Sequence, residues 1–323
     1  MASAPSIVAT LPSELLSLIF EHLSNTPRGL VQCMLCCRTW HDEAQAILFQ
    51  HVALSSSTAT KYTKLCPSSP NTDAKIQSLT VHLDDVYQSW PKRTRDGSIR
   101  DVRVRSQPTH EVWHALDVLS LRFAAMPKLR SLSLARPSDR PRLLSEWNAD
   151  SVIERMISKL PATWVSLEID VNIAEAKTHV CPAVRAALPQ VEYLRLRLSS
   201  ICPEICGEGY GPGPAIGVAE TFRPASAPYL KQCVINMVID TPNQFHQLGT
   251  RLCSANPPRA GPAWPHLTNH LEALHDAETA PNLVSLWILT ARGITTCYIR
   301  HDIGVKKVTS MPVRQIGDLE RDI

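Results

Sequence analysis

Residues 11–23 read Leu11-Pro12-Ser13-Glu14-Leu15-Leu16-Ser17-Leu18-Ile19-Phe20-Glu21-His22-Leu23. Leu11, Leu15, Leu16, Ile19, Phe20 and Leu23 recur at spacings of three and four, which marks one broad apolar face of a helix. Pro12 fits the start of that helix, where its missing N–H costs nothing, and Glu14 suits the positive end of the dipole. Asn25, Thr26 and Pro27 end the run. A second helix is expected from Thr26 as N-cap, carrying Leu30, Val31, Met34 and Leu35, with Gly29 in or near its first turn. A third follows, with Trp40, Ala44, Ile47 and Leu48 opposite His41, Asp42 and Glu43. Three short helices bury too little of their own surface to enclose so many large side chains. Some of this apolar face therefore needs a partner.

Two pieces of this stretch match a known pattern together. Leu11-Pro12-Ser13-Glu14-Leu15-Leu16 runs on through Ile19-Phe20 to Leu23, and Cys37-Arg38-Thr39-Trp40 follows at the matching separation. Residues 8–52 resemble the F-box family. The resemblance implies a three-helix F-box domain that docks on the Skp-family adaptor of an SCF-type cullin-RING ubiquitin ligase. Carried over position by position, it implies that Leu11, Pro12, Glu14, Leu15, Leu16, Ile19, Phe20, Leu23, Cys37 and Trp40 are adaptor contacts or their immediate support. Helical spacing alone leaves open which of them face inward.

Residues 53–75 are rich in Ser, Thr and Pro and read as a linker. Beyond them a unit recurs, made of a helical run, a proline-marked turn and a short apolar segment. Met126-Pro127 leads to Leu129, Leu132 and Leu134; Leu160-Pro161 to Val165, Leu167 and Ile169; Leu188-Pro189 to Val191, Leu194, Leu196 and Leu198; and Ala280-Pro281 to Leu283, Leu286 and Ile288. Weaker copies begin at Ile76 and Tyr229. Val112, Leu116, Leu119 and Phe123 share one helix face, as do Val152, Met156 and Leu160. Leu132 and Leu167 lie 35 residues apart, and Leu167 and Leu194 lie 27 apart, near the period of about 20–29 typical of leucine-rich repeats. Such units must stack to bury their faces. The expected fold class is α/β overall: the F-box domain, then an irregular leucine-rich-repeat-like solenoid over 76–290 that recognises a substrate, then a cap or tail over 291–323.

Other chemistry finds less support. His110-Glu111-Val112-Trp113-His114 has the H-E-x-x-H spacing that puts two imidazoles on one helix face for zinc with a glutamate base, so a zinc-dependent hydrolase is the alternative function. Pro108 places His110 in the first helical turn, and no third ligand with a familiar spacing follows. Cys33, Cys36 and Cys37 read as small buried hydrophobes of the helical domain. Cys202 and Cys206, with Cys181 and His179 upstream, lack the second close pair of a four-ligand site. The Gly-rich stretch 203–228 has no Lys-Ser/Thr after its glycines and, like 257–265, reads as loop. His41-Asp42, His275-Asp276 and His301-Asp302 are sequence neighbours whose side chains diverge, which offers nothing to a serine triad. Lys92, Arg93, Arg95, Arg100, Arg103 and Arg105 outnumber Asp96 and Asp101. They read as a solvated loop that could receive an acidic or phosphorylated partner.

Composition bounds the class of protein but leaves its function to the motifs. The chain has 323 residues, 44% hydrophobic and 20% charged, which suits folded domains and not disorder. Its net charge of +3 is too small to indicate nucleic acid or a membrane surface. With 12 Gly against 25 Pro, glycine-lined phosphate loops are not expected. Met1–Thr10 lacks the basic region and apolar core of a signal peptide, so the 10 cysteines are expected to be reduced and the location cytoplasmic or nuclear. The resemblance to the F-box family implies a non-catalytic subunit without cofactor, holding the adaptor, and through it cullin and RING subunits, at one end and an unknown target at the other.

Overall fold

Period-two alternation builds the main sheet. In the strand Ser166–Val171, Leu167, Ile169 and Val171 are buried while Ser166, Glu168 and Asp170 stay half-exposed, and Tyr193–Leu198 repeats this with Leu194, Leu196 and Leu198 inside. Apolar side chains on one face only fix the register, because a slip of one residue would turn every leucine to solvent. The computed structural model describes residues 11–23, 27–65, 70–83, 86–93, 99–106, 110–135, 149–171, 180–198, 201–208, 222–236, 264–276, 278–291 and 297–312.

In chain order the elements are α1 (Ser13–His22), α2 (Pro27–Met34), α3 (Arg38–Leu48), β1 (His51–Ser55), α4 (Ser56–Leu65), α5 (Pro70–Asp73), β2 (Ser78–His82), β3 (Val86–Arg93), β4 (Ile99–Ser106), α6 (His110–Arg122), β5 (Ser131–Ala135), α7 (Ala149–Ser158), β6 (Ser166–Val171), α8 (Cys181–Ala187), β7 (Tyr193–Leu198), β8 (Gly207–Glu208), β9 (Arg223–Pro224), β10 (Gln232–Asn236), α9 (Trp264–Asp276), β11 (Ser285–Ala291), β12 (Cys297–Asp302) and β13 (Lys307–Pro312). One sheet runs β1-β2-β5-β6-β7-β10-β11-β12-β13. Its first seven strands are parallel and adjacent in the order in which the chain makes them, and β12 and β13 extend it antiparallel. The segments that begin at Ile76 and Tyr229 thus lead to strands, as do the four proline-marked ones.

One backbone detail recurs at every step across the parallel part. A single carbonyl accepts from two successive N–H groups of the following strand: Gln50 from Gln77 and Ser78, Gln77 from Arg130 and Ser131, Arg130 from Val165 and Ser166, Val165 from Glu192 and Tyr193, Glu192 from Lys231 and Gln232, and Lys231 from Val284 and Ser285. Every strand is therefore entered in the same way, whatever the length of the connection before it. Helices α4, α6, α7, α8 and α9 bury Ala59, Leu116, Met156, Val184 and Leu271 in one core with the leucine face of the sheet. Parallel sheets are usually covered on both faces. Here the other face carries polar cross-strand contacts: Ser133 donates to Glu168 at 2.6 Å, and Glu168 and Asp170 pair with Arg195 and Arg197 at 3.3 and 3.7 Å. Arg300 lies 3.6 Å over the ring of Trp287 on the same sheet.

Three expectations change. Within 53–75 the described residues are not a linker: they complete β1, form α4 and α5, and bury Leu54, Ala59 and Asp73, while 66–69 lie outside the described residues. Serines and threonines of this stretch bond locally instead of facing solvent freely, as where Thr58 Oγ1 donates to the Ser55 carbonyl at 3.1 Å and Thr63 Oγ1 to that of Ala59 at 3.1 Å. Most of the basic run is not a loop, since β3 and β4, which carry Lys92, Arg93, Arg100, Arg103 and Arg105, pair antiparallel as a separate two-stranded ribbon, while Arg95 and Asp96 lie outside the described residues. Within 203–228, Gly207–Glu208 pairs with Arg223–Pro224, while 209–221 lies outside the described residues, as do His179 and most of 257–265. A Cβ on Gly207 would run into the Arg223 carbonyl oxygen and lie 2.8 Å from the Phe222 ring. Gly207→Ala is expected to cost about 1–3 kcal/mol by overpacking, measurable as a lower urea midpoint with an unchanged slope.

Candidate functional site

The N-terminal helices hold a second, separate core. Leu16, Phe20, Leu30, Ala44 and Ile47 form it, with Leu11, Leu23, Cys33, Met34, Trp40 and Leu48 packed against it. Pro12 stands just before α1, and its carbonyl accepts from the N–H groups of Leu15 and Leu16 at 3.1 Å. Phe20 and Trp40 meet edge to face, with ring centroids 5.3 Å apart, which ties α1 to α3. Ser17 Oγ donates to Glu43 at 3.2 Å across the same pair of helices, and His41 Nδ1 lies 3.1 Å from the Met34 carbonyl at the end of α2. Lys75 donates to Gln45 at 3.1 Å and so links α3 to the sheet domain.

This packing sorts the ten residues singled out from the sequence. Leu16 and Phe20 face inward and are structural, while Leu11, Leu23 and Trp40 are half-buried supports. Leu15 is 47% exposed and Ile19 42%, although the small core is already filled. Pro12, Glu14 and Cys37 are also exposed. Sequence reasoning missed Leu18, Val31 and Leu35 as surface groups, the last 82% exposed just after α2. The available signal was their spacing: Leu15, Leu18 and Ile19 stand three and four apart, as Val31 and Leu35 do, on the side away from Leu16, Phe20 and Leu30. These five large apolar side chains can exchange water for a partner surface without any rearrangement of the core beneath them.

Cys36 and Cys37 are exposed and Cys33 is half-buried, which corrects the expectation of a buried trio; the chain turns out of α2 at this point and leads into α3. The buried thiols lie elsewhere. Cys181, Cys202, Cys206 and Cys233 are in the sheet-domain core. Burial pushes Cys233 up to about 12, and burial, with Cys233 and Cys202 nearby, holds Cys206 well above the ordinary thiol range. Because the thiolate is the nucleophile, native-state alkylation at pH 8 is expected to label Cys36 and Cys37 and to spare Cys206 and Cys233 until denaturant is added. Peptide mapping by mass spectrometry reads this, and early label on Cys233 would contradict the burial.

His110, Glu111 and His114 lie exposed at the start of α6, with Glu111 3.5 Å from Lys64. Their neighbours Val112 and Trp113 point into the core. Among the described residues, no group of three or more His, Cys, Asp or Glu side chains is placed to hold a metal ion, and no helix is long and apolar enough to cross a membrane.

No curated protein matches the chain. A family model for the F-box-like domain matches residues 8–55, which ends with β1 rather than with α3. The first strand of the sheet is thus also the last element of the N-terminal module, and no spacer separates the two. Helix order, the Leu11-Pro12 entry, the Phe20–Trp40 contact and this match agree: residues 8–55 of the chain are an F-box-like domain.

Proposed function

We propose that this protein is the substrate-recognition subunit of an SCF-type cullin-RING ubiquitin ligase, acting in the cytoplasm or nucleus. The observation that carries the proposal is the apolar row of Leu15, Leu18 and Ile19 left exposed beside a completed core in an F-box-like domain. A Skp-family adaptor covers that row and connects the chain to cullin and RING subunits. Residues beyond the F-box bind the target. The chain then works by proximity, raising the effective concentration of the target beside a ubiquitin-charged enzyme, with no reactive group of its own.

A leucine-rich-repeat-like reading of the second part is supported by its parallel strands in chain order and by the shared two-into-one carbonyl at each step. Gln50 and Gln77, and again Val165 and Glu192, stand 27 residues apart at equivalent positions, within the period of about 20–29 for such repeats. Longer steps hold insertions, among them the β3–β4 ribbon between Gln77 and Arg130. The direct test is reconstitution with purified adaptor, cullin and RING subunits. The full chain is expected to co-elute with the assembly, and its exclusion from a complex that the other three form without it would contradict the proposal.

A further inference from the structure

The positive charge of the chain is concentrated on one small element. Strands β3 and β4 carry Lys92, Arg93, Arg100, Arg103 and Arg105 against Asp101, a net of +4, whereas the whole chain carries +3. The rest of the molecule therefore sums to −1. The ribbon leaves the sheet after β2 and is a sheet of two strands only, so among the described residues neither outer edge pairs with a third strand.

Its register sets Lys92 directly opposite Arg100, Ser89 opposite Arg103 and Tyr87 opposite Arg105. Like charges at opposed positions destabilise a strand pair, and a two-stranded ribbon is marginally stable to begin with. Both costs fall when an anionic strand is added. Four of the five cations are arginines, whose planar fork suits carboxylates two at a time. At a rise of about 3.4 Å per residue, Arg100 and Arg105 stand roughly 17 Å apart. The cationic positions are thus spread along the length of the strand and alternate between its two faces, a spacing that a row of carboxylates on an added strand, alternating in the same way, matches better than one phosphate does.

We propose that the β3–β4 ribbon is a docking element for an extended, Asp/Glu-rich segment of the target polypeptide, laid along β4 as a third strand. This rests on the reading that residues beyond the F-box bind a target. The test uses the full chain and a fluorescein-labelled oligo-glutamate peptide followed by anisotropy. Saturable, salt-sensitive binding is expected, weakened about tenfold or more by the triple substitution Arg100→Gln, Arg103→Gln, Arg105→Gln, with adaptor co-purification unchanged. Hydrogen exchange on the unsubstituted chain supplies a readout independent of how the variant folds, and amides of β4 are expected to gain protection when the peptide is present. No binding, no added protection in β4, equal affinity in a folded triple variant, or tighter binding of duplex DNA or of a singly phosphorylated neutral peptide would each overturn the assignment. Peptide binding by a chain that takes up no adaptor would instead overturn the ligase reading and leave the ribbon assignment standing.

Discussion

Arg122→Leu is expected to lower the stability of the sheet domain by about 3–5 kcal/mol, the loss typical of removing one partner from a buried ion pair. Arg122 donates through Nε to Asp73 Oδ2 at 3.0 Å and through Nη2 to Asp73 Oδ1 at 2.6 Å, while the Tyr62 hydroxyl donates to the same carboxylate at 2.9 Å. The guanidinium also lies 4.3 Å from the Tyr62 ring centroid. Asp73 is 0% exposed and Arg122 8%. The three side chains belong to α4, α5 and α6, so the pair clamps the connection after β1 to the first long helix of the sheet layer. Substituting the arginine leaves a fully buried carboxylate without its cation. The double variant Asp73→Leu, Arg122→Leu should recover much of the loss, because the charge and its desolvation cost leave together. Urea unfolding of both variants decides the matter. Equal, small losses would mean that water reaches the site.

The second large effect concerns binding alone. Leu15→Asp with Ile19→Asp is expected to abolish adaptor co-purification while leaving the unfolding curve close to that of the parent chain. Each side chain still exposes close to half its surface, so covering it contributes roughly half of the ~1.5–3 kcal/mol of a fully buried Leu or Ile. Truncation to alanine would therefore weaken binding about three- to tenfold per site. Aspartate adds a carboxylate that the interface would have to desolvate, and the two together exceed what a typical interface tolerates. Phe20→Ala is the contrasting variant. Phe20 is 0% exposed, and its removal should cost about 3–5 kcal/mol and unfold the small helical core. Adaptor binding would then be lost together with structure, which circular dichroism separates from the surface effect.

The F-box entry was legible because it is local: Pro12, Glu14 and the leucine spacing set one helix, and Trp40 lies within the next two turns of chain. The strands were legible as well, since Leu167–Ile169 and Leu194–Leu196 alternate cleanly after a proline. What escaped was decided by tertiary contact. Whether Leu15 or Leu16 faces inward depends on how α1 rotates against α3, and no spacing within α1 sets that angle. Asp73 and Arg122 are 49 residues apart, and nothing local marks them as a pair. The stretch Ser55–Lys64 looks like linker by composition, yet its hydroxyls satisfy backbone groups within a helix. The ribbon was hidden by its charge, although Val102 and Val104 alternating with Arg103 and Arg105 already carried the period of two.

The most direct measurement is co-expression of a Skp-family adaptor with the full chain, and separately with a chain lacking residues 1–52, followed by affinity purification of the adaptor. The account predicts that the full chain is retained in stoichiometric amount and the shortened one is not. Failure of the folded full chain to bind the adaptor would contradict it.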